Sequence, residues 1–135
     1  MPKPTDNLPA AFARRMAERD NPPPPPPLSP EPAAVQARIE AWLRRTYRLR
    51  DARSCLRMGR MLLALIEHPE RTTGELGTAA GLPSRAAVRV TGRLGELGLA
   101  TWEHRSYYRY WRLTRAAEDA LLLVVAGPQP GEAPL

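Results

Sequence analysis

Lysine, histidine and cysteine are nearly missing from this 135-residue chain, and each absence removes a class of chemistry. The single cysteine, Cys55, allows neither an intramolecular disulfide framework nor a Cys-based zinc cluster, which fits a cytoplasmic protein. The two histidines, His68 and His104, have no acidic or cysteine cluster beside them, so neither a metal site nor a nucleophile–base pair is indicated. The glycines lie in and around helical stretches rather than after a strand, so a phosphate-cradling loop is missing as well. No run approaches the roughly 20 apolar residues of a membrane span. The nearest, Leu121 to Ala126, is far too short, and Met1 to Asp20 lacks the apolar core of a signal peptide. The expectation is a protein that is no enzyme, carries no cofactor or metal, and meets no membrane.

The scarcity of lysine has a counterpart. Of 20 basic residues only Lys3 is a lysine, and the rest are arginines. Abundant arginine, alanine and proline fit a GC-rich genome, so the net charge of +6 says more than the arginine preference. Residues 1–37 sum to zero, 38–60 to +6, 61–83 to −2, 84–115 to +5 and 116–135 to −3. A basic excess confined to two blocks is the electrostatic footprint of a phosphate binder rather than of an evenly solvated surface.

The length suits one domain with tails. Residues 1–32 hold eleven of the sixteen prolines, including the run Pro22 to Pro27, which reads as a stiff polyproline II segment. It forms a disordered tail or linker, serving either as a spacer or as a docking site for a protein partner's aromatic groove. Within it Leu8, Ala11, Phe12 and Met16 have the spacing of one short amphipathic helix through Arg19. The domain spans 33–126, and 127–135 reads as a disordered C-terminal tail.

Val35, Ile39, Trp42 and Leu43 make one apolar stripe at helical spacing, and Cys55, Met58, Leu62, Leu65 and Ile66 a second. The sequence leaves open whether these helices run on as one or break near Asp51, which can cap the second. Cys55 lies on the stripe and reads as a buried structural thiol; a redox sensor would need an exposed, low-pKa sulfur. Thr72-Thr73-Gly74-Glu75 is a capping-box spacing that opens a short helix with Leu76, Ala79 and Ala80 inward, closing at Gly81. Leu82, Pro83 and Ser84 turn into another helix, with Pro83 at its first position or Ser84 as its cap, running to about Leu97. A turn this short makes a helix-turn-helix. Ala87, Val90, Thr91 and Leu94 should face inward, leaving Arg85, Val88, Arg89 and Gly92 outward and Arg93 at the flank. Arginines on such a face can bond guanine edges bidentately or pair with phosphate.

Beyond Gly98 the period becomes two. Leu99 to Glu103 and Tyr108 to Leu113 have strand composition, with His104 to Tyr107 as the tip and Trp111 and Leu113 buried. Arg105 at that tip, with Arg109 and Arg112 on the stem, can reach phosphates or a minor groove. Thr114 caps a last helix, Arg115 to Ala126, whose apolar end is either wedged on the core or a dimer seam. The fold class expected is mainly α with a small two-stranded antiparallel wing.

Gly74-Glu75-Leu76, Gly81-Leu82-Pro83-Ser84, Arg93 to Ala100 and Tyr110-Trp111-Arg112-Leu113-Thr114 together resemble the winged helix-turn-helix transcription regulators, particularly the MarR and PadR groups. The likeness covers about 55 residues. Gly95 replaces the family's usual acidic residue, Pro83 its common serine, and Ala117 the glycine usual after the threonine. The resemblance implies a homodimeric repressor of transcription on double-stranded DNA, associated with the nucleoid, with helix 84–97 in the major groove and wing 99–113 on flanking backbone or minor groove. It implies Ser84, Arg85, Val88, Arg89 and Arg93 as helix contacts and Arg105, Tyr107 and Arg109 as wing contacts, and residues 33–66 and 115–126 as the seam. Some relatives sense small-molecule effectors. The alternatives are a winged-helix protein-interaction scaffold, or a replication, partition or mobile-element protein that binds DNA.

Overall fold

A computed structural model describes residues 8–21 and 27–127. Six helices and a three-stranded antiparallel sheet follow in the order α1 (Leu8–Asp20), α2 (Pro32–Tyr47), α3 (Ala52–Glu67), β1 (Arg71–Thr72), α4 (Thr73–Ala80), α5 (Ser84–Glu96), β2 (Ala100–Arg105), β3 (Tyr108–Leu113) and α6 (Arg115–Ala126). The chain is thus mainly helical with a β wing. Most of the proline run, and residues 128–135, lie outside the described residues, so the readings made for them stay with the sequence. α1 forms where its apolar spacing places it, and none of its residues is buried.

The question left open at Asp51 has a definite answer. Arg48 takes a left-handed conformation (φ 53°) that ends α2, and the Asp51 carboxylate accepts from the Arg53 amide and the Ser54 hydroxyl to start α3. Those two donors favour the charged form and hold the Asp51 carboxyl below its ordinary range, the Ser54 bond contributing most.

Ile39 and Leu43 of α2, Met58, Met61 and Leu62 of α3, Leu76, Leu94, Trp111 and Leu121 close one core. Cys55 is completely buried there, and desolvation pushes its thiol pKa up, away from the reactive thiolate. The only buried polar side chain among the described residues, Thr91, donates its hydroxyl to the Ala87 carbonyl at 2.8 Å, so its burial leaves no donor unsatisfied.

α4 opens with the full capping box: Thr72 Oγ1 accepts from the Glu75 amide, and Glu75 accepts from the Thr72 amide at 2.9 Å. It closes at Gly81, whose φ of 70° a side chain would strain. Leu76, Gly77 and Ala80 face the core; Ala79, expected inward, is exposed because it falls about 100° round the helix from the middle of that buried arc. α5 has Pro83 as N-cap and Ser84 as its first residue, so neither of the two expected arrangements of Pro83 and Ser84 is found.

The sheet has one strand more than expected. β1 pairs with β3 (Arg71↔Trp111, Thr72↔Tyr110), and β3 pairs with β2 through Ala100↔Leu113. This short strand leads directly into α4, so it pins the base of the wing to the start of the helix-turn-helix. The Trp111 indole reinforces the link by donating to Thr73 Oγ1 at 2.8 Å. Trp111 is buried as expected, whereas Leu113 is only half-buried.

Candidate nucleic-acid interface

The helical repeat places Ser84, Arg85, Val88, Arg89 and Gly92 on one side of α5, and all five are exposed. Ser84, Arg85, Val88 and Arg89 line a single shallow concavity. The opposite side is buried, but its phase differs slightly from the expected one: Ala86 joins Ala87, Thr91 and Leu94 in burial, and Val90 is only half-buried. The shift turns the line Ala86, Val90, Arg93 toward the start of α3. There a cavity of about 370 Å³ has apolar walls from Leu49, Met58, Ala86 and Val90 and arginines 50, 57, 89 and 93 around it. Arg93 also stands 3.9 Å from Glu96.

This groove brings the two basic blocks together, although not all of the first block takes part. Arg38 donates to the carbonyls of Val124 (3.2 Å) and Val125 (2.8 Å) at the end of α6, and to that of Ser29 (2.8 Å). Arg60 donates to the Ala80 carbonyl at the end of α4. Both place a cation where a helix dipole is negative and satisfy carbonyls that lack an intrahelical partner. The two ends of the block are structural. Arg50 and Arg57 between them face the groove, and only the charge excess of residues 38–60 marked them in the sequence.

The wing closes more tightly than its composition indicates. Ser106 and Tyr107 alone make the turn, with φ of 46° and 75°, the positive pair of a type I′ two-residue hairpin. His104 and Arg105, expected in the tip, belong to β2 instead, paired with Arg109 and Tyr108. Every residue from Thr101 to Arg109 is exposed, so alternation gave no sign of where the strand ends. Arg105 is held on the stem. It donates to the Glu70 carboxylate, lies 4.3 Å over the Tyr110 ring, and is 4.0 Å from Glu103. The bond to Glu70 raises the Arg105 pKa further, so its charge is fixed. Arg109 lies 4.2 Å over the Trp102 ring on the face that also carries Trp111. Tyr107 at the tip is 95% exposed. Between wing and helix, a cavity of about 360 Å³ is shared by Tyr107, Tyr108 and Arg109 on one side and Val88 and Thr91 on the other. Glu70 and Tyr108 are the neighbours that sequence reasoning missed. Glu70 lies 35 positions from Arg105, and nothing local connects them.

A helix-turn-helix followed by a hairpin, with a short strand joining the two, defines a winged-helix domain. Its likeness is to the MarR-family regulators. A MarR-family regulator from Silicibacter pomeroyi matches with a TM-score of 0.53 at 19% identity, over 90% of this chain and 71% of that one. One from Bacillus stearothermophilus matches at 0.51 and 18%, over 93% and 74%. The structure of reduced AbfR bound to DNA matches at 0.50 and 13%, over 96% and 87%. At these identities the likeness is one of fold. No family model and no curated protein matches the sequence. No helix among the described residues is long and apolar enough to cross a membrane.

Proposed function

We propose that this chain is a double-stranded-DNA-binding transcription regulator, a homodimeric repressor that sets α5 into the major groove and the wing on flanking backbone or minor groove. The observation that carries the reading is the outer face of α5. It presents Arg85, Val88 and Arg89 to solvent, and Arg89 also borders the groove that Arg50 and Arg57 line. Such a surface offers guanidinium forks for base edges at its centre and cations for phosphates at its margin. The fold supports it, since one structure that shares it, reduced AbfR, is described as bound to DNA.

The test is a salt titration of binding to duplex fragments, comparing the wild-type chain with Arg89→Ala and Arg57→Ala. Phosphate contacts require log affinity to fall linearly with log salt. Arg89→Ala should cost about 1–3 kcal/mol on the preferred sequence and little on random DNA, whereas Arg57→Ala should weaken both alike and flatten the salt slope. Binding that ignores salt would overturn the proposal, and equal losses from the two variants would remove base reading by α5.

A further inference from the structure

The tip of the wing carries a residue that the fold neither needs nor favours. The second central position of a two-residue hairpin wants glycine, because a positive φ presses a Cβ against the backbone. Tyr107 occupies it at φ 75°. Its side chain is 95% exposed and makes no hydrogen bond or ring contact among the described residues. The ring therefore adds strain without adding a contact. A bulky side chain held in this region with no internal partner points to use outside the molecule.

The neighbours limit what that use is. A wing that met phosphates first would need a free cation at its tip, but here both flanking arginines are engaged along the sheet, Arg105 by Glu70 and Tyr110 and Arg109 by Trp102. The foremost group is an aromatic ring, with guanidinium groups standing behind it on both strands. Tyr107 also borders the cavity shared with Val88 of α5, so the ring projects from the same side of the molecule as the helix face. An apolar or aromatic wedge that leads, with cations following against the two backbones, is the arrangement that enters a minor groove and parts a base step.

We propose that Tyr107 is a minor-groove wedge that partly unstacks a flexible pyrimidine–purine step beside the sequence bound by α5, and so contributes to specificity through deformability as well as base edges. This rests on the DNA-binding reading above. The ring, not the hydroxyl, is the acting part.

The experiment uses the full chain and the duplex that it enriches from a random-sequence pool, with 2-aminopurine placed in turn at each flanking purine. At saturating protein, fluorescence should rise at one step outside the region covered by α5, because unstacking relieves quenching. Tyr107→Phe should keep the signal and bind within about twofold of wild type. Tyr107→Gly should lose the signal and weaken binding on the order of tenfold, within the range expected of base–aromatic stacking. Its salt slope should not change, because no charge is removed. The same variant should melt a few degrees higher, since the turn strain is relieved. Opposite signs for stability and affinity are what a purely structural tyrosine would not give. Wild-type binding with no responsive step, or a Tyr107→Gly chain that binds as well as wild type, overturns the wedge and leaves the DNA-binding reading standing. Failure to enrich any duplex takes both down.

Discussion

Gly77 and Gly92 sit on the two helices of the helix-turn-helix in opposite surroundings. A Cβ on Gly77 would stand 2.7 Å from the Cβ of Ala87, an atom fixed to the backbone of α5, so the two helices would have to part. A Cβ on Gly92 would meet nothing within 4 Å. Gly77→Ala should therefore cost about 1–3 kcal/mol as an overpacked contact, while Gly92→Ala should gain up to about 1 kcal/mol from helix propensity. Thermal melts should move in opposite directions, and a stabilised Gly77→Ala would mean that α4 and α5 are not in close contact. Composition alone makes both glycines look like interruptions of a helix; what separates them is a residue ten positions away, which no local pattern reports. Arg105 poses the same difficulty. Its charge is visible in the sequence, but its pairing with Glu70 depends on β1 bringing the end of α3 beside the wing.

At the scale of elements, the boundaries that side chains set by local bonding were legible, and those set by distant pairing were not. Thr72 with Glu75, Gly81, Thr114 and Gly127 mark ends of α4 and α6 as their residue types imply, because a cap needs only neighbours within four positions. β1 was missed because two residues show no alternation, and its existence depends on β3, nearly forty positions later. The wing turn was misplaced by two residues because the outer part of the hairpin, Thr101 to Arg109, is exposed on both faces. The α4 cap also gives a dependence on pH. The Thr72 backbone amide, and then its hydroxyl, hold the Glu75 carboxyl below its ordinary range. A depressed folded pKa contributes stability that is present above the unfolded value, about 4.3, and is lost as pH falls through the folded value. Melting temperature should accordingly drop as pH falls below about 4.3. Glu75→Gln, which keeps an acceptor but cannot titrate, should flatten that decline, while Thr72→Ala should lower stability by about 1 kcal/mol at neutral pH. An unchanged acid limb in Glu75→Gln would show that other carboxylates dominate it; Asp51, held low by Ser54 and Arg53, is the next to substitute.

For the molecule as a whole, the decisive surface is the apolar patch that α6 leaves open. Leu121 is buried, but Leu122 and Leu123 beside it are about half exposed, and Ile66 is exposed across a shallow cavity of about 270 Å³ that Val125 and Pro69 also line. Adjacent leucines left open on one helix are poorly explained by the monomer, because the core is already closed by Leu121 and the Arg38 clamp holds the helix end in place. A second copy of the chain would cover them by a two-fold contact in which the same patch meets itself. Two half-sites on one face of a duplex require two α5 helices on successive turns, roughly 34 Å apart, and a symmetric pair would double the phosphate contacts available to Arg50 and Arg57. Light scattering of the wild-type chain should give twice 15.0 kDa. Replacing Leu122 and Leu123 together by glutamate should give the monomer mass and a folded chain, since neither side chain is in the core, with a melting temperature that is lower than wild type and no longer rises with protein concentration. The double variant should bind a single half-site as wild type does at high protein concentration, and lose the steep dependence on protein concentration with two half-sites. A wild-type monomer at micromolar concentration would remove the two-half-site arrangement, and the exposed leucines would then call for a different partner.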